Sequence, residues 1–204
     1  MASEGEIYMK VLAVGDLEGD RTLAESLADK ADLEGVDAIL FCGDIVDDED
    51  NPNGVLAAFR KPVFVVPGNH DSPSTFDFLV QRYKVKNLHG YGYKAGKFGF
   101  FGCGSVNLGI WQQSETEIFE MLKRGAEYVK DCKRKVLVSH VHPAQSKMSL
   151  VSGFEGSEGL RKAIEELQPD LVFCSHVCEA EGIEEKIGKT RVIQVGRKGK
   201  VLEV

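Results

Sequence analysis

Short runs of β-branched and aromatic residues recur along the chain, and they alternate with stretches whose apolar residues fall four apart. The runs at 8–14, 36–42, 63–66, 136–139 and 171–174 predict strands. Between the first two, residues 22–33 place Leu23, Leu27 and Ala31 on one helical face. Residues 54–60 predict a short helix after the turn-rich Asn51-Pro52-Asn53, and 74–83 a longer one. The longest helical pattern covers 115–131, with Ile118, Leu122 and Tyr128 sharing its buried side and Ser114 as N-cap. A further helix is expected over 157–167. Residues 91–93 and 98–101 flank Lys94-Ala95-Gly96-Lys97, a hairpin signal. The stretch 182–204 alternates and turns at Gly188-Lys189 and Gly199-Lys200, which predicts a strand meander. No repeat, low-complexity segment or linker interrupts the pattern, so residues 1–204 read as one domain. Strand-helix units followed by hairpins predict an α/β fold with a sheet-on-sheet core and helices outside.

Composition narrows the class. A 204-residue chain with 43% hydrophobic and 28% charged residues has the make-up of a globular domain and needs no disulfide or structural metal to fold. The formal net charge of −7 makes the chain a poor general partner for nucleic acid or an anionic membrane. Its basic tracts are short, such as Lys133-Arg134-Lys135 and Arg197-Lys198. A phosphate substrate stays compatible with this charge, because a bound metal inverts the local field. The five cysteines are odd in number, which speaks against a disulfide framework and for a reducing cytoplasm. The acidic residues 1–6 lack the apolar core of a secretory signal, and no apolar run reaches the ~18 residues of a membrane span.

The chemistry sits at the predicted strand ends. The first strand runs into Gly15-Asp16-Leu17-Glu18-Gly19, the second into Gly43-Asp44-Ile45-Val46-Asp47, and the third into Pro67-Gly68-Asn69-His70-Asp71. Two later strands end in Ser139-His140-Val141-His142 and Ser175-His176-Val177-Cys178-Glu179. Any one of these reads as an ordinary turn. Five successive strand ends bearing metal-competent side chains do not, because ligands bind at the carboxyl ends of strands in sheets of this kind.

This ordered set resembles the calcineurin-like metallophosphoesterase superfamily, over about residues 8–204. Gly43-Asp44-Ile45-Val46-Asp47 and Gly68-Asn69-His70-Asp71 match its motifs fully, and 176–182 is similar to the end of small prokaryotic, especially archaeal, members. The resemblance implies an αββα sandwich, two packed sheets flanked by helices, with two divalent transition-metal ions (Mn, Fe, Zn or Ni) at the strand ends. It implies that Asp44 bridges the two metals, that Asn69, His140 and His176 complete the second site, and that Asp16 binds the first. His70 is then the proton donor or transition-state stabiliser at the leaving oxygen, oriented by Asp71. Imidazole and carboxylate suit these metals, and a metal pair generates hydroxide near neutral pH and clamps phosphate oxygens.

Two positions depart from the family pattern, both at the first site. Glu18 stands where the motif has His, and Cys178 where the final His belongs. Gln194-Val195-Gly196 is a milder departure from Asn-Pro-Gly. Three readings of the pair stay open: a rebuilt site using Asp16, Glu18, Asp44 and Cys178, in which a thiolate favours Zn or Fe; one tight metal beside one labile one; or a site that has lost catalysis.

The other candidates take bland readings. His142 is structural, His89 a turn residue, Cys42, Cys103 and Cys132 inert, Trp111 and Phe119 core, and Asp47-Asp48-Glu49-Asp50 a solvated loop apart from Asp47. Cys174 and Cys178 lack a second cysteine pair for a zinc ribbon. Gly102-Cys103-Gly104-Ser105 matches no nucleotide fingerprint. The expectation is a cytoplasmic metal-dependent phosphoesterase that hydrolyses a small phosphomonoester or phosphodiester by metal-activated hydroxide. The alternative is a catalytically impaired relative used as a protein-binding scaffold. An edge strand near the C-terminus offers a route to a homodimer.

Overall fold

The computed structural model describes residues 8–47, 49, 51, 52, 54–104, 107 and 109–204. Parts of four sequence readings lie outside the described residues: the acidic stretch 1–6, Asp48 and Asp50 of the acidic run, Asn53 of the turn, and Ser105 of the glycine-rich stretch.

Two mixed sheets pack face to face. The first is built from β1 (Lys10–Val14), β2 (Ala38–Cys42), β3 (Val63–Val66), β4 (Lys86–Asn87) and β11 (Lys200–Glu203), in the order β11-β1-β2-β3-β4. The second holds β5 (Gly92–Ala95), β6 (Phe98–Cys103), β7 (Arg134–Ser139), β8 (Leu171–Cys174), β9 (Glu184–Ile187) and β10 (Thr190–Gln194), in the order β5-β6-β7-β8-β10-β9. Five α-helices among the described residues join them: α1 (Arg21–Leu33), α2 (Pro73–Tyr83), α3 (Glu115–Tyr128), α4 (Lys147–Ser152) and α5 (Glu158–Leu167). The architecture is the expected αββα sandwich.

The period-2 geometry of the strands sorts their side chains into layers. From β1, Val11 and Ala13 point between the sheets, where they meet Leu40, Phe64, Phe100, Val138 and Phe173. Leu12 and Val14 point the other way, onto Ala24, Leu27 and Ala31 of α1. On the far side, Leu137 and Val172 pack under Ile118 and Leu122 of α3 and Leu160 and Ile164 of α5. Because the central strands are covered on both faces, they read as continuous apolar runs, and all of Ala38–Cys42 is buried. The helices start on side-chain caps: Asp20, Ser72, Ser114 and Ser157 each accept a first-turn amide.

Several expectations change. α3 stops at Tyr128, a residue that is 61% exposed. Ten residues on from Ile118, the helix has turned to about 80° off the buried face, and Gly125 and Val129 take that face instead. Phe119 is core, but Trp111 is 41% exposed in the segment before α3. The C-terminal part is not one meander. β9 and β10 form a hairpin in the second sheet, and β11 crosses to the first sheet to pair antiparallel with β1. The two elements with no sequence signal, β4 and α4, are two and six residues long.

Candidate metal centre

β1, β2 and β3 run parallel in one sheet and β7 and β8 in the other, so their five carboxyl ends gather on one edge of the sandwich. The loops there are tight. A Cβ on Gly68 would collide with the Asp44 carboxylate, and one on Gly43, where φ is +93°, would come within 2.5 Å of His140 Nδ1. Four candidate residues hold left-handed backbone: Asp16 (φ 58°), Glu18 (47°), Asp44 (51°) and His176 (77°). Such conformations cost about 1–3 kcal/mol each in non-glycine residues and persist where surrounding structure enforces them.

His140 is fully buried, and its Nδ1 lies 2.8 Å from the Cys42 carbonyl oxygen. Ser175 Oγ donates to the same carbonyl at 2.6 Å. A carbonyl only accepts, so the neutral imidazole carries its proton on Nδ1 and turns the Nε2 lone pair outward. That lone pair faces Asn69 Oδ1 at 2.9 Å and Asp44 Oδ2 at 3.4 Å. Three acceptors aimed at one another call for positive charge between them. The donor atoms of Asp44, His140 and His176 lie within 4.8 Å of one another. A carboxylate, an amide oxygen and two imidazoles form the donor set of a transition-metal site, and these residues fit one divalent ion.

The electrostatics agree. Burial works against a charged His140, but Asp44 and Asp16 prevail and hold its pKa above the ordinary histidine value, so without an ion a proton on Nε2 supplies that positive charge and donates to Asn69 Oδ1. Burial, followed by the neighbouring His140, pushes His176 down to about 4, so its ring is neutral and its lone pair available. Burial, with Asp44 adding to it, pushes Asp16 up to about 6. The site strains against its own charge and would be relieved by a cation.

A second donor group consists of Glu18, Asp44 and His70, again within 4.8 Å of one another. Asp44 belongs to both groups, and its Oδ2 is 3.8 Å from His70 Nε2. Asp16 and Cys178 join neither group among the described residues. The Asp16 carboxylate accepts the His176 amide at 3.2 and 3.3 Å, tying the end of β8 to that of β1. Cys178 is exposed, on the short 3-10 turn Cys178–Ala180, and burial, Asp16 and Glu18 raise its thiol pKa.

Asp71 is buried, and its carboxylate accepts the amides of Gly68 (2.7 Å), Ile45 (2.9 Å) and Val46 (3.0 Å). It therefore clamps the Asn69-His70 loop onto the Asp44 loop. His142 is buried, faces the Phe154 carbonyl oxygen through Nε2 at 3.1 Å, and stacks edge-on against Phe154, which in turn backs His176. His89 does more than turn the chain: its Nδ1 accepts the Gly104 amide at 3.0 Å. It lines a cavity of about 310 Å³ with Pro67, Asp71, Phe76, Trp111 and Gln113. Pro67 and Asp71 bracket Gly68-Asn69-His70, so the cavity borders the candidate donor loops.

Two participants escape sequence reasoning. Ser175 reads only as a small residue before His176, and Arg197 only as part of a short basic tract. Arg197 Nη1 lies 3.3 Å from Glu18 Oε2 and donates to the Asp16 carbonyl at 3.1 Å, while Nη2 reaches Asp20 Oδ2 at 2.8 Å.

A sequence model of the calcineurin-like phosphoesterase family matches residues 9–180, and the chain belongs to this family. No curated protein matches the chain by sequence. Among solved structures, TT1561 of Thermus thermophilus superposes with a TM-score of 0.76 at 19% identity, covering 96% of this chain and 99% of that one. A dimetal phosphatase from Danio rerio gives 0.62 at 13% identity, covering 93% and 88%. An archaeal phosphodiesterase gives 0.54 at 14%, covering 96% and 99%. At these identities the likeness is one of fold.

Proposed function

We propose that the protein is a metal-dependent phosphoesterase that hydrolyses a small phosphomonoester or phosphodiester, with Asp44, Asn69, His140 and His176 holding an essential metal ion. The convergence of the His140 Nε2 lone pair with Asn69 Oδ1 and Asp44 Oδ2 carries this reading, and family membership supports it. A divalent Mn, Fe, Zn or Ni ion bound there supplies a Lewis acid for a phosphoryl oxygen and lowers the pKa of water. The chain's own groups do the rest. Cys42 and Ser175 hold His140 in one orientation and tautomer. His70, at the more open side of Asp44, donates a proton or hydrogen bond to the leaving oxygen. The Asp71 clamp keeps His70 and Asp44 in register, and the bordering cavity takes the organic group of the ester. Five free thiols suit a cytoplasmic protein, and among the described residues no helix is long and apolar enough to cross a membrane.

The test is hydrolysis of an aryl phosphate and a bis-aryl phosphodiester with added Mn. Asp44→Asn and His70→Gln are expected to abolish turnover while leaving the circular dichroism spectrum unchanged. Wild-type turnover in both variants would mean the site is wrongly assigned. The isolation of Cys178 from both donor groups favours a second reading, the impaired scaffold. It expects no hydrolysis of either ester with any of the four metals, and activity only after Glu18→His combined with Cys178→His.

A further inference from the structure

We infer that the protein carries one metal ion rather than two, because Arg197 already stands as a fixed cation on the Glu18 side of the site; this rests on the phosphoesterase reading above. The two donor groups share Asp44 and differ in everything else. The group of Asp44, His140 and His176 is enclosed, and among the described residues no Lys or Arg hydrogen bond or ion pair is found on any of the three. The group of Glu18, Asp44 and His70 reaches solvent through Glu18, whose carboxylate is paired to Arg197 at 3.3 Å.

Arg197 is not a loose surface partner. One guanidinium nitrogen also donates to the main-chain oxygens of Asp16 (3.1 Å) and Leu17 (3.5 Å), and another pairs with Asp20 at 2.8 Å. The guanidinium therefore spans the loop from Asp16 to Asp20. Its position is fixed from behind, because the Gly196 carbonyl accepts the Gly15 amide at 3.3 Å and β11 pairs with β1.

Arginine keeps its charge at every accessible pH and matches carboxylates with its planar fork. A divalent ion on Glu18 would sit well inside the ~8 Å screening length of this charge, at a rim where Glu18 and Arg197 both reach solvent. It would also compete for a carboxylate already hydrogen-bonded. What remains to hold it is His70, the Asp44 carboxylate that the first ion also uses, and Asp16, whose carboxylate already accepts the His176 amide. Cys178 lies outside both groups, so it does not make up the deficit. The replacement of the family's first-site His by Glu18 therefore goes with a built-in counter-charge, which neutralises the acid a metal would otherwise have neutralised.

The experiment is metal stoichiometry. The apo protein, stripped with EDTA, is titrated with Zn²⁺ and with Mn²⁺ by calorimetry, and the desalted complex is assayed for bound metal. Wild type is expected to hold one equivalent, and His140→Gln none. Arg197→Ala, and Arg197→Met as a variant that keeps the side-chain volume, are expected to acquire a second equivalent or bind it at least tenfold more tightly. Arg197→Lys is expected to stay at one. Two tight equivalents in wild type would overturn the inference and leave the phosphoesterase reading standing. One equivalent in wild type with no gain in either Arg197→Ala or Arg197→Met would overturn the role of Arg197. An equivalent that survives His140→Gln would place the ion on the Glu18 side and overturn the inference as well. No bound metal in wild type would sink the functional reading and this inference with it.

Discussion

Burial sets the protonation of the rings and carboxylates around this site, and His89 offers the cleanest place to measure it. Burial, reinforced by the nearby Arg124, lowers its pKa from the ordinary 6.5 to about 4. The unfolded chain therefore binds more protons than the folded one between these values. Stability contributed by the neutral ring is present above about pH 6.5 and is lost as pH falls toward 4. Asp16 and Asp71 are shifted upward by burial and pull stability the other way over the same interval, so the wild-type curve alone decides nothing. The difference between wild type and His89→Gln isolates the ring. Urea unfolding in EDTA should show that wild type gains roughly 2–3 kcal/mol relative to the variant between pH 4.5 and pH 7. An equal difference at both pH values would mean that the ring is not held neutral by burial. Residue identities at the strand ends were enough to nominate the enclosed donor set, since Asp, Asn and His each bring their chemistry with them. Arg197 was not legible, because its role consists of contacts with Glu18 and Asp20, 179 and 177 positions away.

Between elements, Glu115 links two helices that share no sequence neighbourhood. It stands in the first turn of α3, yet its Oε2 accepts both the Ser157 hydroxyl and the Gly159 amide, each at 2.6 Å, at the start of α5. Its Oε1 accepts the Asn107 amide at 2.6 Å. The carboxylate thus sits at the positive end of a helix other than its own. Glu115→Ala is expected to cost about 2 kcal/mol, from hydrogen bonds to a charged acceptor and a lost capping charge. That corresponds to a fall of roughly 4–8 °C in Tm by calorimetry; a change under 1 °C would show that Ser157 caps α5 unaided. Most elements were legible for reasons the structure makes plain. Strands covered on both faces cannot tolerate polar residues, and helices begin at Ser or Asp caps. What was not legible is which sheet a strand joins. The alternation in 182–204 is the same whether β11 continues a meander or crosses to β1, and only the packing of Val201 on one layer and Leu202 on the other separates the two.

For the molecule as a whole, the −7 charge and the open cavity bear on what can approach the site. A phosphoester reaching the metal loops from the His70 side would lay its organic group against Trp111 and Phe76. Trp111→Ala should raise KM for an aryl phosphodiester by about tenfold, the size of one lost aromatic contact, with kcat nearly unchanged. An unchanged KM would place the organic group elsewhere. The crossing of β11 has a kinetic consequence. Lys10 pairs with Glu203, so β1 is made long before the strand that covers its edge. Until then the nascent sheet exposes an unpaired apolar template, and the loop bearing Asp16 and Glu18 lacks the arginine that spans it. Closure over so long a separation is slow. Protection of the edge is thus a late event, and a chain cut off before β11 would leave the edge of β1 open and be prone to associate with its own kind.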